Sequence, residues 1–444
     1  MRKKADIHER RTAIHLLRGG RRPAEVAQEV GRSLAWVYKW RHRFFEEQDW
    51  ADLADRSRAP RRCPTQLGED IRGAIRQARS ELEAAATEPG SLGYLGAPAV
   101  QARLRHQSVS PLPSISSIER VLAAAGMTHP RPAEAKASVA YPHLEPAAPH
   151  QLVQVDIVTR FLPGGVQVAC FNALDVISHY PTGQQYLSRR STDATNFLIH
   201  LWQTLGIPDY TQMDNESCFS GGFSHPGVLG KVVRLGLFVG TELVFSPIRH
   251  PESNGSVERF HQDYLQHVWD KLNLPDLTTL QHHSPSFFET YRHSEHIATL
   301  QGRCPAQVQG EQPGQPWPVT GALPQPLPLT AGQVHFMRRV DPAHQITLLN
   351  LTWAVPKAHP DQGVWATLTL SRQAAKLRIY DAAPDAARRT CLAEHPFPLT
   401  EPVQPVQPEF QRAIPVDPAW FSLAADLFRV ALKIPLAAWL STMS

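Results

Sequence analysis

The spacing of hydrophobic residues changes partway along the chain. Up to about residue 128, apolar residues recur every three or four positions, which predicts helices. Beyond Gln151, the runs "QLVQVDIVTRFL", "VQVACFNALDVIS" and "PTGQQYLS" predict three consecutive strands, followed by a helix in "TDATNFLIHLWQTLG" and a short strand in "YTQMD". Strands followed by a helix and a further strand indicate an α/β core.

The first helical segment has the pattern of a helix-turn-helix. Ala27 is small enough for two helices to approach closely, Gly31 permits the positive φ of the turn, and Val37 supplies an apolar core residue. Residues 1–62 hold 16 Lys and Arg against 9 Asp and Glu, whereas the whole chain has a net charge of only +4. The pattern therefore favours a DNA-binding domain, and a helical hairpin that serves only packing is the alternative.

Candidate DNA contacts lie on the third helix and on the arginine-rich connector that follows it. On the outer side of the helix, the residues placed to reach base edges and phosphates are Arg32, Ser33, Trp36, Lys39 and Arg43. The connector "DRSRAPRRCPT" predicts an extended arm that carries Arg56, Arg58, Arg61 and Arg62.

Proline-rich stretches mark the remaining boundaries, and short β patterns after the second of them predict a small barrel. We predict a multidomain chain in this order: a helix-turn-helix DNA-binding domain at 1–62, a second helical DNA-binding unit at 63–128, a linker at 129–150, an α/β core at 151–310, a linker at 311–329, a small β-barrel at 330–396, and a tail without a predicted role at 397–444.

Composition argues against a membrane or secreted protein. No apolar run reaches the roughly 18 residues of a membrane span, and the N-terminus lacks the apolar segment of a signal peptide. The five cysteines form no C-x-x-C pair, which predicts reduced thiols and neither a disulfide framework nor a cysteine zinc site. We therefore expect a cytoplasmic protein of bacterial type that contacts no membrane.

Three carboxylates stand at the ends of predicted elements or within a buried strand. Asp156 interrupts the apolar strand "QVDIV", Asp214 ends the strand "YTQMD", and Glu258 opens a helix after the loop-like "HPESNG". A charge within a buried strand is costly unless it is paired or binds a cation. Three such acids suit a site for two Mg²⁺ or Mn²⁺ ions, which activate the attacking oxygen and stabilise the leaving oxygen of a phosphodiester.

Each acid also has an ordinary structural interpretation. Asp156 can pair with an arginine, Asp214 can stabilise a turn with Asn215, and Glu258 can interact favourably with its helix dipole. Taken together, these interpretations must explain separately why three acids stand at such positions. A metal site explains all three with one condition, which is that the acids meet in the fold.

The order of these acids, within "QVDIV", "MDNESCF" and "HPESNGSVERFH", resembles the catalytic core of retroviral-integrase-like transposases, including those of bacterial insertion sequences. The phrase "PESNGSVERF" is its most specific part. The resemblance implies a ribonuclease-H-like core, a mixed sheet flanked by helices, in which Asp156, Asp214 and Glu258 are catalytic and hold two metal ions. It also implies that Asp175, in "NALDVISHYPTG", is a supporting residue and not a metal ligand.

The sequence departs from this family in two places. Glu216 adds an acid where many relatives have glycine. The 43 residues between Asp214 and Glu258 exceed the usual interval, and we predict that the excess, "SGGFSHPGVLGKVVRLG", enlarges a loop without moving the acids. His250, before Glu258, is predicted to contact phosphate.

These observations predict a DNA transposase that binds the ends of a mobile element, hydrolyses a phosphodiester there and joins the freed 3′-hydroxyl to target DNA. Because two ends must be joined, we expect a homo-oligomer; whether a helper ATPase takes part is left open. Two alternatives also stay open. One is a sequence-specific DNA-binding regulator that keeps the fold without the reaction, and the other is a ribonuclease-H-class nuclease that acts on RNA–DNA hybrids.

Overall fold

The computed structural model describes residues 2–47, 50–54, 67–88, 91–128, 141–221, 227–247, 254–318, 323–399 and 401–411. The chain divides into two compact units, Met1–Gly68 and Glu69–Ser444. Within the described ranges, no helix combines the length and the apolar composition needed to cross a membrane. The described cysteines are all free thiols.

The first unit is a three-helix domain of α1 (Arg2–Arg18), α2 (Pro23–Val30) and α3 (Leu34–Glu47), followed by a 3-10 turn, Trp50–Leu53. Gly31 ends α2 in the left-handed region, with φ at 68°, which only glycine adopts at little cost. Ala27, Val26 and Val37 are buried together between the helices. The predicted helix-turn-helix is confirmed.

The second helical segment, which belongs to the second unit, comprises α4 (Glu69–Ala85), α5 (Ala97–His106) and α6 (Ile115–Ala124). Ser114 caps α6 by accepting a hydrogen bond from the N–H of Ser117, and Gly126 follows the helix with φ at 69°. The helices predicted for this segment are therefore confirmed.

A mixed sheet forms the centre of the second unit. The strands β1 (Leu152–Leu162), β2 (Val166–Asp175) and β3 (Pro181–Tyr186) form an antiparallel meander, while β4 (Tyr210–Met213) pairs parallel with β1 and β5 (Glu242–Phe245) pairs parallel with β4. The order β3-β2-β1-β4-β5 agrees with the mixed sheet that the resemblance implies. The first four of these strands follow the sequence prediction.

Helices cover both faces of this sheet because alternate residues of each strand point to opposite sides. On one face, α7 (Ser191–Leu205) and α9 (Lys231–Val239) pack with Val155 and Phe171. On the other, α10 (Gly255–Tyr264) and α11 (Leu277–Arg292) pack with Cys170 and Leu174. Two further helices are short, α8 (Ser217–Ser220) and α12 (Pro305–Gln309), and α10 continues into a π-helical turn, Leu265–Trp269.

The region predicted to be a separate barrel extends the central sheet instead. Its strands are β6 (Gly332–Arg339), β7 (Gln345–Leu348), β8 (Leu351–Ala354), β9 (Gly363–Leu370), β10 (Ala375–Tyr380) and β11 (Cys391–Pro396). β6 pairs parallel with β5, and the sheet continues in the order β6-β9-β10-β11, while β7 and β8 form a separate hairpin. We call the strands β6 and β9–β11 the sheet extension.

Side chains on both faces of β6 explain this departure from the prediction. Phe336 stacks on Phe245 of β5 with ring centres 4.9 Å apart, in the same apolar cluster. On the other face, the fully buried His335 places Nε2 2.6 Å from Glu242 Oε2 and Nδ1 3.0 Å from Thr367 Oγ1 of β9. The side chains of β6 are therefore buried against β5 on both faces, which explains why this strand joins the central sheet and does not form a separate barrel.

The Gly-rich insertion between Asp214 and Glu258 also differs from its prediction. Part of it forms α9, whose Val232, Val233 and Leu235 are buried, so it contributes to the core and is not only a larger loop. The glycine Gly236 has a packing role: a Cβ there would lie 2.5 Å from Leu243 Cγ of β5. The glycine lets the helix lie directly on the strand.

Candidate active site

Asp156 and Asp214 come from neighbouring parallel strands. Gln154 of β1 is the register partner of Gln212 of β4, and each aspartate follows its glutamine by two residues. Residues two apart on a strand share a face, and hydrogen-bonded strands lie roughly 4.8 Å apart. The two aspartates therefore project side by side where β4 ends.

The two glutamines also hold the start of the helix that carries Glu258. Gln154 Oε1 accepts hydrogen bonds from the N–H groups of Ser256 and Val257, at 3.2 and 3.3 Å. Gln212 Nε2 donates to Oδ1 of the buried Asn254 at 2.9 Å. The first turn of α10, and with it Glu258, is thus fixed to the same two strands as the aspartates.

Neither glutamine was among the predicted site residues. A signal for them exists in the sequence, because Gln-x-Asp occurs both in "QVD" and in "QMD". Because β1 and β4 pair with Gln154 opposite Gln212, the two amides lie side by side, two residues before the two aspartates.

Burial raises the pKa of Asp156 to about 7, and the charges of Asp214, Glu258 and Glu216 act in the same direction. The N–H of Ile157 opposes them. Burial likewise raises the pKa of Asp214 to about 6; the N–H of Glu216 lowers it, while the charge of Glu216 raises it. The acids therefore lie near enough to repel one another.

The chemistry of these donors fits a hard divalent cation such as Mg²⁺ or Mn²⁺, which prefers carboxylate oxygens. Within the part of the chain that the structure describes, no three His, Cys, Asp or Glu side chains are already arranged closely enough to hold a metal ion. The structure nevertheless brings the acids into one neighbourhood, since the charges of Asp214 and Glu258 both act on Asp156.

Two buried polar residues flank Asp156. His261, one turn after Glu258 on α10, places Nδ1 3.4 Å from Asp156 Oδ2, and burial lowers the pKa of this histidine to about 4, so it is neutral. Asn172 of β2 is the cross-strand partner of Asp156 and is fully buried. Asp156 therefore has a buried, neutral histidine beside one of its carboxylate oxygens.

The additional acid Glu216 has a partner. Arg189 Nη1 lies 3.1 Å from Glu216 Oε1, and the backbone N–H of Glu216 donates to Asp214 Oδ1 at 3.0 Å. Glu216 thus belongs to the turn that presents Asp214, and its charge is partly offset by an arginine.

Asp175 stabilises a turn at the end of β2. It is fully buried and accepts hydrogen bonds from the N–H groups of His150, Ile177 and Ser178 and from the Ser178 hydroxyl. Its hydrogen bonds make it a structural residue, as the resemblance implied.

The predicted DNA contacts on α3 fall into different environments. Lys39 is exposed, and Ser33 caps the helix by accepting from the N–H of Trp36 at 3.2 Å. Arg32 forms an ion pair with Glu9 at 2.6 Å, and Trp36 is half-buried. Arg43, also half-buried, lies with its guanidinium 5.0 Å from the ring centre of Trp40.

The exposed surface of α3 also includes Tyr38, Arg41 and His42, which were not among the predicted DNA contacts. They alternate along the helix with the buried Val37, Trp40 and Phe44, so the burial periodicity identifies them as solvent-facing. The predicted arm residues Arg56, Arg58, Arg61 and Arg62 lie outside the described residues, as does His250.

Comparison with known proteins identifies the first unit. Residues 4–49 match HTH_23, a homeodomain-like domain. No curated protein gave a significant match to the chain. The first unit is therefore a homeodomain-like helix-turn-helix domain.

Solved structures similar to the chain include retroviral integrases. A chain of the simian T-cell lymphotropic virus intasome in complex with the PP2A regulatory subunit B56 gamma is 15% identical over 74% of this chain and 99% of its own, with a TM-score of 0.33. The HTLV-2 integrase catalytic core in complex with magnesium, in its trimeric form, is 15% identical over 37% of this chain and 99% of its own, with a TM-score of 0.29. The BIV integrase catalytic core is 15% identical over 36% of this chain and 95% of its own, with a TM-score of 0.28.

Proposed function

We propose that this protein is an integrase-like DNA transposase. Its helix-turn-helix domain binds the ends of a mobile element, and its core hydrolyses a phosphodiester at each end and transfers the freed 3′-hydroxyl to target DNA. The observation that carries this proposal is that Asp156 lies on β1 and Asp214 directly follows β4, its parallel neighbour, while Gln154 and Gln212 tie the helix of Glu258 to both strands.

In this proposal Asp156, Asp214 and Glu258 hold two Mg²⁺ or Mn²⁺ ions. When bound, such ions activate the attacking oxygen and stabilise the leaving oxygen of the phosphodiester. Gln154, Gln212 and Asn254 keep the start of α10 against the sheet, so that Glu258 stays beside the aspartates.

Hydrolysis and strand transfer are the same reaction, in which an oxygen nucleophile attacks the phosphorus of a phosphodiester. Water first attacks the phosphodiester, breaks its bond to the 3′-oxygen, and leaves a 3′-hydroxyl and a 5′-phosphate. That hydroxyl then attacks a phosphodiester of the target and displaces the target strand's own 3′-oxygen, and no covalent bond to the protein forms. Because two element ends are joined to one target, the proposal includes a dimer or larger assembly of this chain.

The test is a strand-transfer assay with purified protein and a short DNA that carries the element's own end. We expect joined products with Mg²⁺ and none with a chelator. Asp156→Asn should lower joining at least about a hundredfold, because it removes a group that acts on the reacting charge, and should leave end binding intact.

Asp270→Asn is the matched control, because Asp270 is exposed and lies beyond the end of α10. We expect this variant to join DNA like the wild type. End binding without joining would support the regulator instead, and cleavage of RNA–DNA hybrids without joined products would support the nuclease.

A further inference from the structure

Arg338, on β6 of the sheet extension, is a buried cation. Only 8% of its surface is exposed. Burial lowers its pKa to about 10, so it remains charged at neutral pH. No carboxylate among the described residues pairs with it, although a buried charge is costly unless polar groups compensate it.

Three oxygen atoms, none of them from an acid, compensate this charge. Arg338 Nη1 donates to the carbonyl of Met337 at 2.8 Å and Nε donates to the carbonyl of Thr347 at 3.2 Å. Nη2 donates to the side-chain oxygen of Asn215 at 2.9 Å. The guanidinium is therefore held rigidly, with one of its nitrogens directed at the residue that follows Asp214.

Asn215 connects the sheet extension to the acids. Its Oδ1 accepts from Arg338, and its Nδ2 donates to the carbonyl of Ser246, just beyond β5. The Ser246 hydroxyl donates to Asn254 Oδ1 at 2.9 Å, at the start of the helix that carries Glu258. One chain of hydrogen bonds thus runs from β6 to the turn of Asp214 and to the start of α10.

We propose that Arg338 is a positioning residue of the active site, which acts through Asn215 to fix the turn that presents Asp214. This inference rests on the proposed function, because it assigns a role toward the same three acids. The sheet extension then completes the active site in addition to covering the edge of β5.

Arg338 acts through the geometry of its three hydrogen bonds and not through its positive charge alone. The positive charge that lowers the pKa of Asp214 comes from Arg189. A lysine at position 338 would keep a positive charge but lose the planar fork that reaches three oxygens at once. Arg338→Lys should therefore behave like Arg338→Met and should not restore function.

The experiment measures Mg²⁺ binding and strand transfer on the full chain. Mg²⁺ alone is titrated while the melting temperature is recorded, and the apparent affinity is taken from the rise in melting temperature. Arg338→Met and Asn215→Ala should each lower Mg²⁺ affinity about 10- to 100-fold, as for other residues that orient metal ligands.

A double-mutant cycle separates positioning from simple stabilisation. If Arg338 acts through Asn215, then Arg338→Met should cause no further loss of Mg²⁺ affinity in the Asn215→Ala background. Independent losses that multiply would overturn the inference, and so would a wild-type chain whose melting temperature does not respond to Mg²⁺. Should Arg338→Met fail to fold, Asn215→Ala alone decides, and an unchanged Mg²⁺ affinity in that variant overturns the inference.

Arg339→Met is the matched control, since the neighbouring Arg339 is half exposed and pairs with Asp361 at the surface. It should bind Mg²⁺ and join DNA like the wild type. A wild-type chain that binds Mg²⁺ but joins no DNA would reject the proposed transposase activity, while the cycle in Mg²⁺ affinity would still decide the role of Arg338.

Discussion

At the scale of single residues, the ionised side chain of Asp156 lowers the stability of the folded protein. Its folded-state pKa is about 7, raised from 3.8 mainly by burial and further by three neighbouring acids. A raised carboxyl pKa means that the folded state keeps a proton that the unfolded state loses. The contribution of Asp156 to stability is therefore full below about 3.8 and is lost as the pH rises to about 7.

This cost predicts that Asp156→Asn stabilises the protein in the presence of a chelator. The asparagine stays neutral, so the melting temperature at pH 8 should rise by at least about 2 °C over the wild type. The gain should shrink steadily between pH 7 and pH 4, when melting is followed by circular dichroism. Asp270→Asn should show no such trend, and a gain independent of pH would contradict the electrostatic explanation.

At the scale of elements, α3 presents two different faces. Val37, Trp40 and Phe44 are buried, whereas Tyr38 and Arg41 are exposed. In a homeodomain-like domain, an exposed face with basic and aromatic side chains suits the major groove of DNA. We therefore expect the exposed Tyr38 and Arg41 to be better placed for base contacts than the half-buried Trp36.

We predict that Arg41→Ala weakens binding to the element ends and lowers the slope of log affinity against log salt concentration by about one, as for the loss of one phosphate contact. Fluorescence anisotropy at several salt concentrations measures both effects. Arg11→Ala, an exposed arginine on α1, is the control and should change neither. Equal losses in the two variants would indicate a general charge effect and reject a role specific to α3.

At the scale of the whole second unit, the sheet extension and the core share one hydrophobic interior. Phe336 of β6 is 1% exposed and stacks on Phe245 of β5. His335 connects Glu242 of β5 to Thr367 of β9 on the opposite face. The extension and the core should therefore unfold together.

Phe336→Ala tests this shared interior. The substitution should lower the free energy of unfolding by about 3–5 kcal/mol, since a large buried ring is replaced by a cavity. Hydrogen exchange should show that amides of β4 and β5 lose protection along with those of β9. Phe161→Ala, at a ring that is 65% exposed on β1, should change stability by less than about 0.5 kcal/mol. Loss of protection confined to β6–β11 would show an independent body.

Much of the fold could be predicted because local patterns determine it. The period of the first three helices, the turn at Gly31 and the alternation in β1 and β2 can all be read from the sequence. The sequence also identifies Asp156 and Asp214 as candidate ligands, each two residues after a glutamine, but their adjacency depends on the parallel pairing of β1 with β4.

The incorrect predictions share one physical cause. Which strand or helix an element packs against depends on distant residues and not on the local sequence pattern. The strand pattern at β6 does not reveal that its neighbour is β5. Gly236 was predicted to lie in a loop, but it lies inside α9, where Leu243 of β5 leaves no space for a side chain. The roles of Arg338 and Asn215 depend on the same long-range pairing, so they appear only in three dimensions.

The hydrogen bonds between β5 and β6 also determine where this chain can be recombined with another. A chimaera that joins residues 151–310 from one protein to residues 330–396 from a second must match a strand ladder, an aromatic stack and the Arg338–Asn215 hydrogen bond at once. An exchange made near Gly68 cuts no strand, because the sheet begins at Leu152. A change of DNA specificity is therefore best made by exchanging the residues before Gly68, while the whole nine-stranded sheet is kept from one protein.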